Sequence, residues 1–209
     1  MDKVAIIGGT GKVGRYIANK ALQKGYQVRM LVRNPEKSSY IDNGIEIVKG
    51  EIQNLETIKK LIKGCNIVVN TFGQPVRATP MYSELTKNLL VLMKEVNIRR
   101  YIGVSGGSLT IEGDRKNFTN IFAAKVFEVF FSKMMRDKKR EWEILFNNKE
   151  INWTLIRLPF VVEGAEIGSI KESVTDMPGR KIQNQDIATF IINQIESSKY
   201  IHKSPFISN

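Results

Sequence analysis

Cysteine and histidine are almost absent from this chain: Cys65 and His202 are the single examples of each. One thiol makes no internal disulfide, and one thiol with one imidazole is too small a set for a structural metal, so neither device is expected to hold the fold. Long apolar runs are missing as well. No stretch approaches the roughly 20 residues that cross a bilayer, and MDKVAIIGG at the N-terminus lacks a cleavage pattern after its short apolar strand. The chain therefore reads as a soluble protein of a reducing cytoplasm. Acidic residues are the scarcer charge, 21 against 32 basic ones, for a net charge of +11. A nucleic-acid binder gathers such charge on one face. Here the basic residues are scattered except around Lys133 to Arg140, and a phosphate-bearing small ligand accounts for the excess at least as well. Internal repeats and low-complexity linkers are also lacking, and 209 residues with 42% hydrophobic content suit one folded unit, 1–209, with a sizeable core.

What is present is alternation. Short β-rich runs (VAIIG, QVRMLV, IEIV, NIVVN, RYIGVS and NWTLIRLPF) are separated by amphipathic segments at Lys12 to Lys24, Leu55 to Lys63 and Met81 to Val96. Strands that are apolar on both faces need a layer of helices on each side, which predicts an α/β doubly wound parallel sheet. Turn signals stand between the units, at Lys24-Gly25, Asp42-Asn43-Gly44 and Lys63-Gly64. Residues 117–146 read as helical and are rich in phenylalanine. The reading adopted is a helix buried against the sheet and a substrate lobe, with a dimer face or a membrane-surface contact as the alternatives. Towards the C-terminus a short strand, a helix starting near Asn184 to Asp186 and a final strand are expected, with Asn184 and Asp186 suited to capping the helix.

The stretch IIGGTGKVG carries the chemistry. Gly8, Gly11 and Gly14 follow a strand directly and precede a helix directly. A phosphate group needs close backbone approach and free N–H groups at a helix start, and glycines remove the side chains that would block both. A dinucleotide site is the expectation, a tight turn alone the alternative. At the end of the second strand, where an acidic residue would bind a ribose 2'-hydroxyl, the sequence reads LVRNPEK. Arg33 offers a planar fork of donors suited to a 2'-phosphate, so NADP(H) is preferred over NAD(H). Lys37 and Lys12 add charge there or are solvated surface residues, and Arg15 is read as a surface residue.

These pieces, with VKGEIQN, NIVVNTFG, YIGVSGGS, RLPF and NQDIATFII, resemble the atypical short-chain dehydrogenase/reductase group, which includes NmrA-like proteins and flavin reductases of the biliverdin reductase B type. The resemblance implies a Rossmann fold with the cofactor across the carboxyl ends of the strands. Carried over by position, Gly8, Thr10, Gly11, Lys12 and Val13 would hold the pyrophosphate and Arg33 the adenosine phosphate. Glu51 and Ile52 would flank the adenine, and Thr71, Phe72 and Gly73 would lie beside the nicotinamide ribose. Ser105 would stand near the nicotinamide as the catalytic candidate, and Pro159 and Phe160 would line the nicotinamide and substrate side. Bland alternatives exist: Thr71 and Ser105 as partners of strand-end backbone groups, Phe160 as core. Segments 117–146 and 159–209 would supply the substrate side.

The chain departs from the wider superfamily in one respect. No tyrosine beyond Ser105 has a lysine four residues later, and the residue four positions before Lys125 is Ile121. Asp137, Lys138 and Lys139 fall near the place of the relatives' helix lysine, with the register open by a residue or two. A conjugated acceptor takes up charge by delocalisation, so hydride transfer to it tolerates the missing tyrosine. The leading expectation is thus an NADPH-dependent reductase of a flavin, quinone or similar flat small molecule. A non-catalytic NADP(H)-binding redox sensor is the second reading, and an epimerase or dehydratase with a held cofactor the third.

Overall fold

The computed structural model describes residues 1–37, 42–75 and 77–209, without the side chain of Lys37, so the expected role of Lys37 lies outside the described residues. The expected strands form where they were read: β1 Lys3–Ile7, β2 Gln27–Val32, β3 Ile45–Lys49, β4 Ile67–Asn70, β5 Arg100–Gly106 and β6 Asn152–Leu158. Helices α1 Gly14–Gln23, α2 Leu55–Ile62 and α3 Tyr82–Glu95 connect them. Gly25 and Gly64, just past α1 and α2, take φ +87° and +72°, the left-handed conformation that glycine adopts without cost. Beyond β6 come β7 Phe160–Val162, β8 Lys171–Ser173, β9 Lys181–Gln183, α6 Asn184–Asn193 and β10 Phe206–Ser208.

Eight strands make one sheet in the order β3-β2-β1-β4-β5-β6-β10-β8. Every described pairing in it is parallel except β8 against β10, and β7 pairs with β9 apart from it. This is the Rossmann-type doubly wound architecture. Alternate residues of each strand enter opposite layers. Ile6, Val69 and Ile102 pack with Ile17 and Ala21 of α1 and Ile187 and Ile191 of α6. Ala5, Val68 and Tyr101 pack on the other face, with Ile58 and Leu61 of α2 and Leu89 and Met93 of α3. Each fully buried Ile or Leu contributes roughly 1.5–3 kcal/mol relative to exposure, and the parallel pairing of β1, β2, β4, β5 and β6 puts their carboxyl ends at one edge of the sheet.

The strands also carry arginines that serve helix ends. Arg29 of β2 donates to the carbonyls of Lys60 and Lys63 at the end of α2, and Arg100 of β5 donates through Nε to the Gln194 carbonyl at the end of α6, at 3.1 Å. A cation at a helix C-terminus satisfies orphan carbonyls and complements the dipole. Arg157 of β6 is wholly buried. Its Nη1 sits 2.9 and 2.7 Å from the two Asp114 oxygens, its Nε and Nη2 donate to the Ser204 carbonyl at 3.0 and 2.7 Å, and its guanidinium lies 3.5 Å from the centroid of the Phe206 ring. Lys116 joins the group, donating to the carbonyls of Gly107 and Leu109, and burial pushes its ammonium down to about 8.

Two expectations are corrected. Residues 117–146 form not one buried helix but two, α4 Phe118–Phe130 and α5 Ser132–Phe146, broken at Phe131. Asn117 caps α4, accepting from the Asn120 N–H at 2.9 Å, yet Ala124 is the buried residue of that helix while Phe118, Phe122 and Phe130 face outward. Apolar composition alone could not say which side of the helix meets protein. Asn184 and Asp186 do not cap α6 either. Gln183 occupies the cap position without a side-chain bond, and Asp186 accepts instead from the backbone N–H groups of Ile167 and Gly168 at 3.1 and 2.9 Å. Asp186 is fully buried, so Asp186→Ala leaves two amides without an acceptor. The expected cost is about 1–3 kcal/mol, read by chemical denaturation, with faster amide exchange confined to residues 164–168; an unchanged midpoint would contradict this role.

Candidate cofactor site

β1 ends at Ile7, and the chain turns at Gly8 with φ +76°. A Cβ on Gly8 would stand 2.5 Å from the Thr71 carbonyl oxygen, and one on Gly14 would stand 2.2 Å from the Gly8 carbonyl oxygen. Both glycines are thus required by the close passage of the loop, the end of β4 and the start of α1. Gly11 differs: a Cβ there meets the Gly8 carbonyl oxygen at 3.1 Å and nothing else within 4 Å. The outer side of the loop is left open. Helix α1 begins at Val13 without a side-chain cap and has no acidic residue in its first turn. Its leading amides and positive dipole end are therefore suited to an anion such as a pyrophosphate.

That helix start faces a cleft of about 480 Å³, within the usual range for a small-molecule site. Its lining includes Gly8, Thr10, Gly11, Lys12, Val13, Arg33, Glu51, Ile52, Thr71, Phe72 and Gly73. The structure thus brings together the expected glycine loop, the end of β2, the segment after β3 and the loop after β4. Arg33 and Lys12 are exposed at this cleft. Arg15 faces elsewhere and pairs with Glu163 at 2.5 Å, as a surface residue.

Ser105, Pro159 and Phe160 are not among the cleft's lining residues. Phe160 is 72% exposed, which removes the core alternative for it. Ser105 is 4% exposed, and its hydroxyl has no hydrogen-bond partner among the described residues. Thr71, by contrast, donates to the Ile7 carbonyl at 3.0 Å and so does satisfy a strand end. Sequence reasoning passed over the far wall of the cleft, made by Gln74, Pro75, Ala78, Thr79 and Met81. Gln74 ties it together, donating to the Thr79 carbonyl at 2.8 Å and accepting from the Met81 N–H at 3.0 Å. A glutamine in a loop carries no local pattern that would reveal this.

A buried polar chain supports the loop after β4. The Phe72 N–H donates to Asn70 Oδ1, whose amide donates to the Tyr101 hydroxyl, each at 3.0 Å. Thr86 lies 3.3 Å from that hydroxyl and donates to Glu141 at 3.0 Å. Lys138 ends the chain, 3.8 Å from Glu141 and 3.7 Å from the centroid of the Tyr82 ring. Burial pushes the Tyr101 phenol and the Glu141 carboxyl up and the Lys138 ammonium down, and the two charges partly offset each other's shift. Of the three candidates on α5, Lys138 points inward, Lys139 is exposed, and Asp137 accepts from the backbone N–H groups of Tyr82 and Ser83, capping α3 from outside. Met134 stands four residues before Lys138.

A parallel sheet whose first strand delivers a glycine loop onto an uncapped helix start, beside a cleft at the strand ends, defines a nicotinamide-dinucleotide-binding protein. The NAD(P)H-binding family model matches residues 8–198, and the chain belongs to that family. Its kinship with the atypical short-chain dehydrogenase/reductase, NmrA-like group is borne out. An isoflavone reductase homolog A622-like protein of Nicotiana tabacum is 34% identical over 111 residues, 48% of this chain and 34% of that protein. The photosystem II assembly factor Ycf39 of Trieres chinensis is 45% identical over 67 residues, 32% of this chain and 21% of the relative. The matched region thus spans about a third or less of these relatives' length. Among solved structures, a short-chain dehydrogenase/reductase from Veillonella parvula in complex with NADP superposes with a TM-score of 0.80 at 14% identity, covering 100% of this chain and 94% of that one. ChuY, an anaerobillin reductase from Escherichia coli O157:H7, gives 0.79 at 13%, covering 100% and 97%. At such identity these two likenesses speak to the fold alone.

Proposed function

We propose that the protein is an NADPH-dependent reductase that passes hydride to a flavin, a quinone or a similar flat conjugated acceptor. The reading takes residues 1–209 as one unit, with 117–146 and 159–209 supplying the acceptor side. The observation that carries it is the Ser105 hydroxyl: buried near the carboxyl end of β5, it has no hydrogen-bond partner among the described residues. A buried polar group left so calls for an explanation, and a bound ligand is one that suits its place at the strand end. Reduced nicotinamide, when bound, supplies the hydride. The chain's own residues would then divide the work. The glycine loop Gly8 to Val13 would hold the pyrophosphate, and Arg33 the 2'-phosphate. Glu51 and Ile52 would flank the adenine. Thr71, Phe72 and Gly73 would bound the ribose, Ser105 would orient the reacting rings, and Pro159 and Phe160 would border the acceptor. With Met134 four residues before Lys138, where a proton-donating tyrosine would be needed, the acceptor's proton comes from water, which a delocalised acceptor permits. The names of the reductase-like relatives agree with this chemistry.

The test is a titration with NADPH and NADH, followed by absorbance of the reduced nicotinamide with and without FMN or a soluble quinone, on the wild type and on Ser105→Ala. The wild type is expected to oxidise NADPH only when an acceptor is present. Removing a hydroxyl that has no partner among the described residues should leave the melting temperature unchanged or raise it slightly, while turnover falls about tenfold or more. Equal turnover in the variant would sink the role given to Ser105. Tight NADPH binding with no oxidation by any acceptor would favour the redox-sensor reading, which the inward engagement of Lys138 with Glu141 also suits.

A further inference from the structure

Helix α4 is turned the wrong way round for a helix in water. Phe118, Phe122, Val129 and Phe130 are 83, 65, 76 and 75% exposed, while the side packed on the protein offers little more than Ala124. Phe118, Phe122 and Val129 recur at helical spacing on one face of the helix, with Lys125 between the last two. Thirteen residues span about 20 Å. That is too short to cross a bilayer, and among the described residues no helix is long and apolar enough to do so. It is long enough to lie in an interface.

The charges around the stripe say what would cover it. Lys125 lies on the stripe itself, and Glu128 is the one acidic residue of α4. Directly beyond the break at Phe131, Lys133, Arg136, Lys139 and Arg140 are all exposed along α5. Of the acids of α5, Asp137 caps α3 and Glu141 is buried with Lys138, which leaves Glu143 as the exposed one against four exposed cations. Phenylalanines flanked by lysine and arginine match the boundary between acyl chains and anionic headgroups. A second copy of the chain would meet this surface with the same cationic rim, in a protein of net charge +11.

We propose that α4, with the basic side of α5, docks the protein onto an anionic lipid membrane, the helix lying in the plane of the headgroups. The α4 start is held as part of the fold, since Asp176 accepts from the Asn117 N–H at 3.0 Å and from the Asn120 amide at 2.7 Å. The neighbouring Met177 packs on Gly107, two residues past Ser105. The docked face therefore adjoins the carboxyl end of β5.

The experiment is co-sedimentation of the whole chain with vesicles of phosphatidylcholine alone or with a third of phosphatidylglycerol, at low and high salt. Wild type is expected to bind the anionic vesicles at least tenfold more tightly than the neutral ones and to lose most of that preference in high salt. The double variant Phe122→Asp, Phe130→Asp, whose sites are exposed, should keep the wild-type circular dichroism and melting curve and lose binding at least tenfold. Lys133→Glu with Arg136→Glu should lose the anionic preference. Binding unaffected by the phenylalanine changes, or no binding to either vesicle, would overturn the proposal. So would a wild-type dimer by sedimentation velocity that the phenylalanine changes convert to monomer, since that assigns the face to a second copy.

Discussion

NADPH should bind Arg33→Ala about ten- to a hundredfold more weakly than wild type, a loss of roughly 1.5–3 kcal/mol for one charge-assisted bond. NADH affinity should move by less than about twofold on the same reading. The asymmetry follows from placement. Arg33 is the first residue past β2 and exposed at the cleft, so its guanidinium has solvent to lose and a dianionic 2'-phosphate to gain. A bare ribose hydroxyl offers it one neutral acceptor. Calorimetric titration of both cofactors against both proteins decides the matter, and parallel losses for NADPH and NADH would remove Arg33 from the 2'-phosphate. Arg33→Lys should recover only part of the affinity, because an ammonium keeps the charge and loses the planar fork.

Asp114→Ala should be the most damaging of these changes to stability. Asp114 supplies both oxygens to a guanidinium that is wholly buried. Removing one partner of such a pair strands the other charge, at a cost of about 3–5 kcal/mol, whereas replacing both by well-packed apolar residues is often neutral. For a chain of this length that is a melting-temperature loss of roughly 6–20 °C. The double change Asp114→Leu, Arg157→Met should therefore be milder than Asp114→Ala alone, and thermal melts of the two variants compare them directly. A double variant worse than the single one would show that the Ser204 and Phe206 contacts to Arg157, not its pairing, dominate.

Much of the fold was legible because its determinants are local. The six parallel strands announced themselves as β-branched runs with both faces apolar, and Gly25 and Gly64 marked the turns that the left-handed conformation requires. The glycine loop was legible for the same reason: strand, turn and helix start are contiguous in sequence. What escaped depends on partners distant along the chain. Asp137 caps a helix that begins 55 residues earlier, and Asp186 serves a loop 18 residues earlier, so neither looks different from an ordinary helix acid. The outward face of α4 escaped because apolar content says that a surface will be covered without saying by what. The antiparallel β8, reading only KES, gains its strand character from β10 rather than from its own residues.

The position of β10 inside the sheet, between β6 and β8, sets an order on the protein's synthesis. A ribosome delivers Arg157 well before the carbonyl that satisfies it, since Ser204 lies 47 residues further on. During that interval β6 has one finished edge, against β5, and one edge where a guanidinium still needs water. The nascent sheet cannot dry on that side until Ser204 and β10 have emerged. A chain shortened before Ser204 should thus keep its glycine loop and the β5 edge of β6 while leaving the Arg157 side of that strand wet.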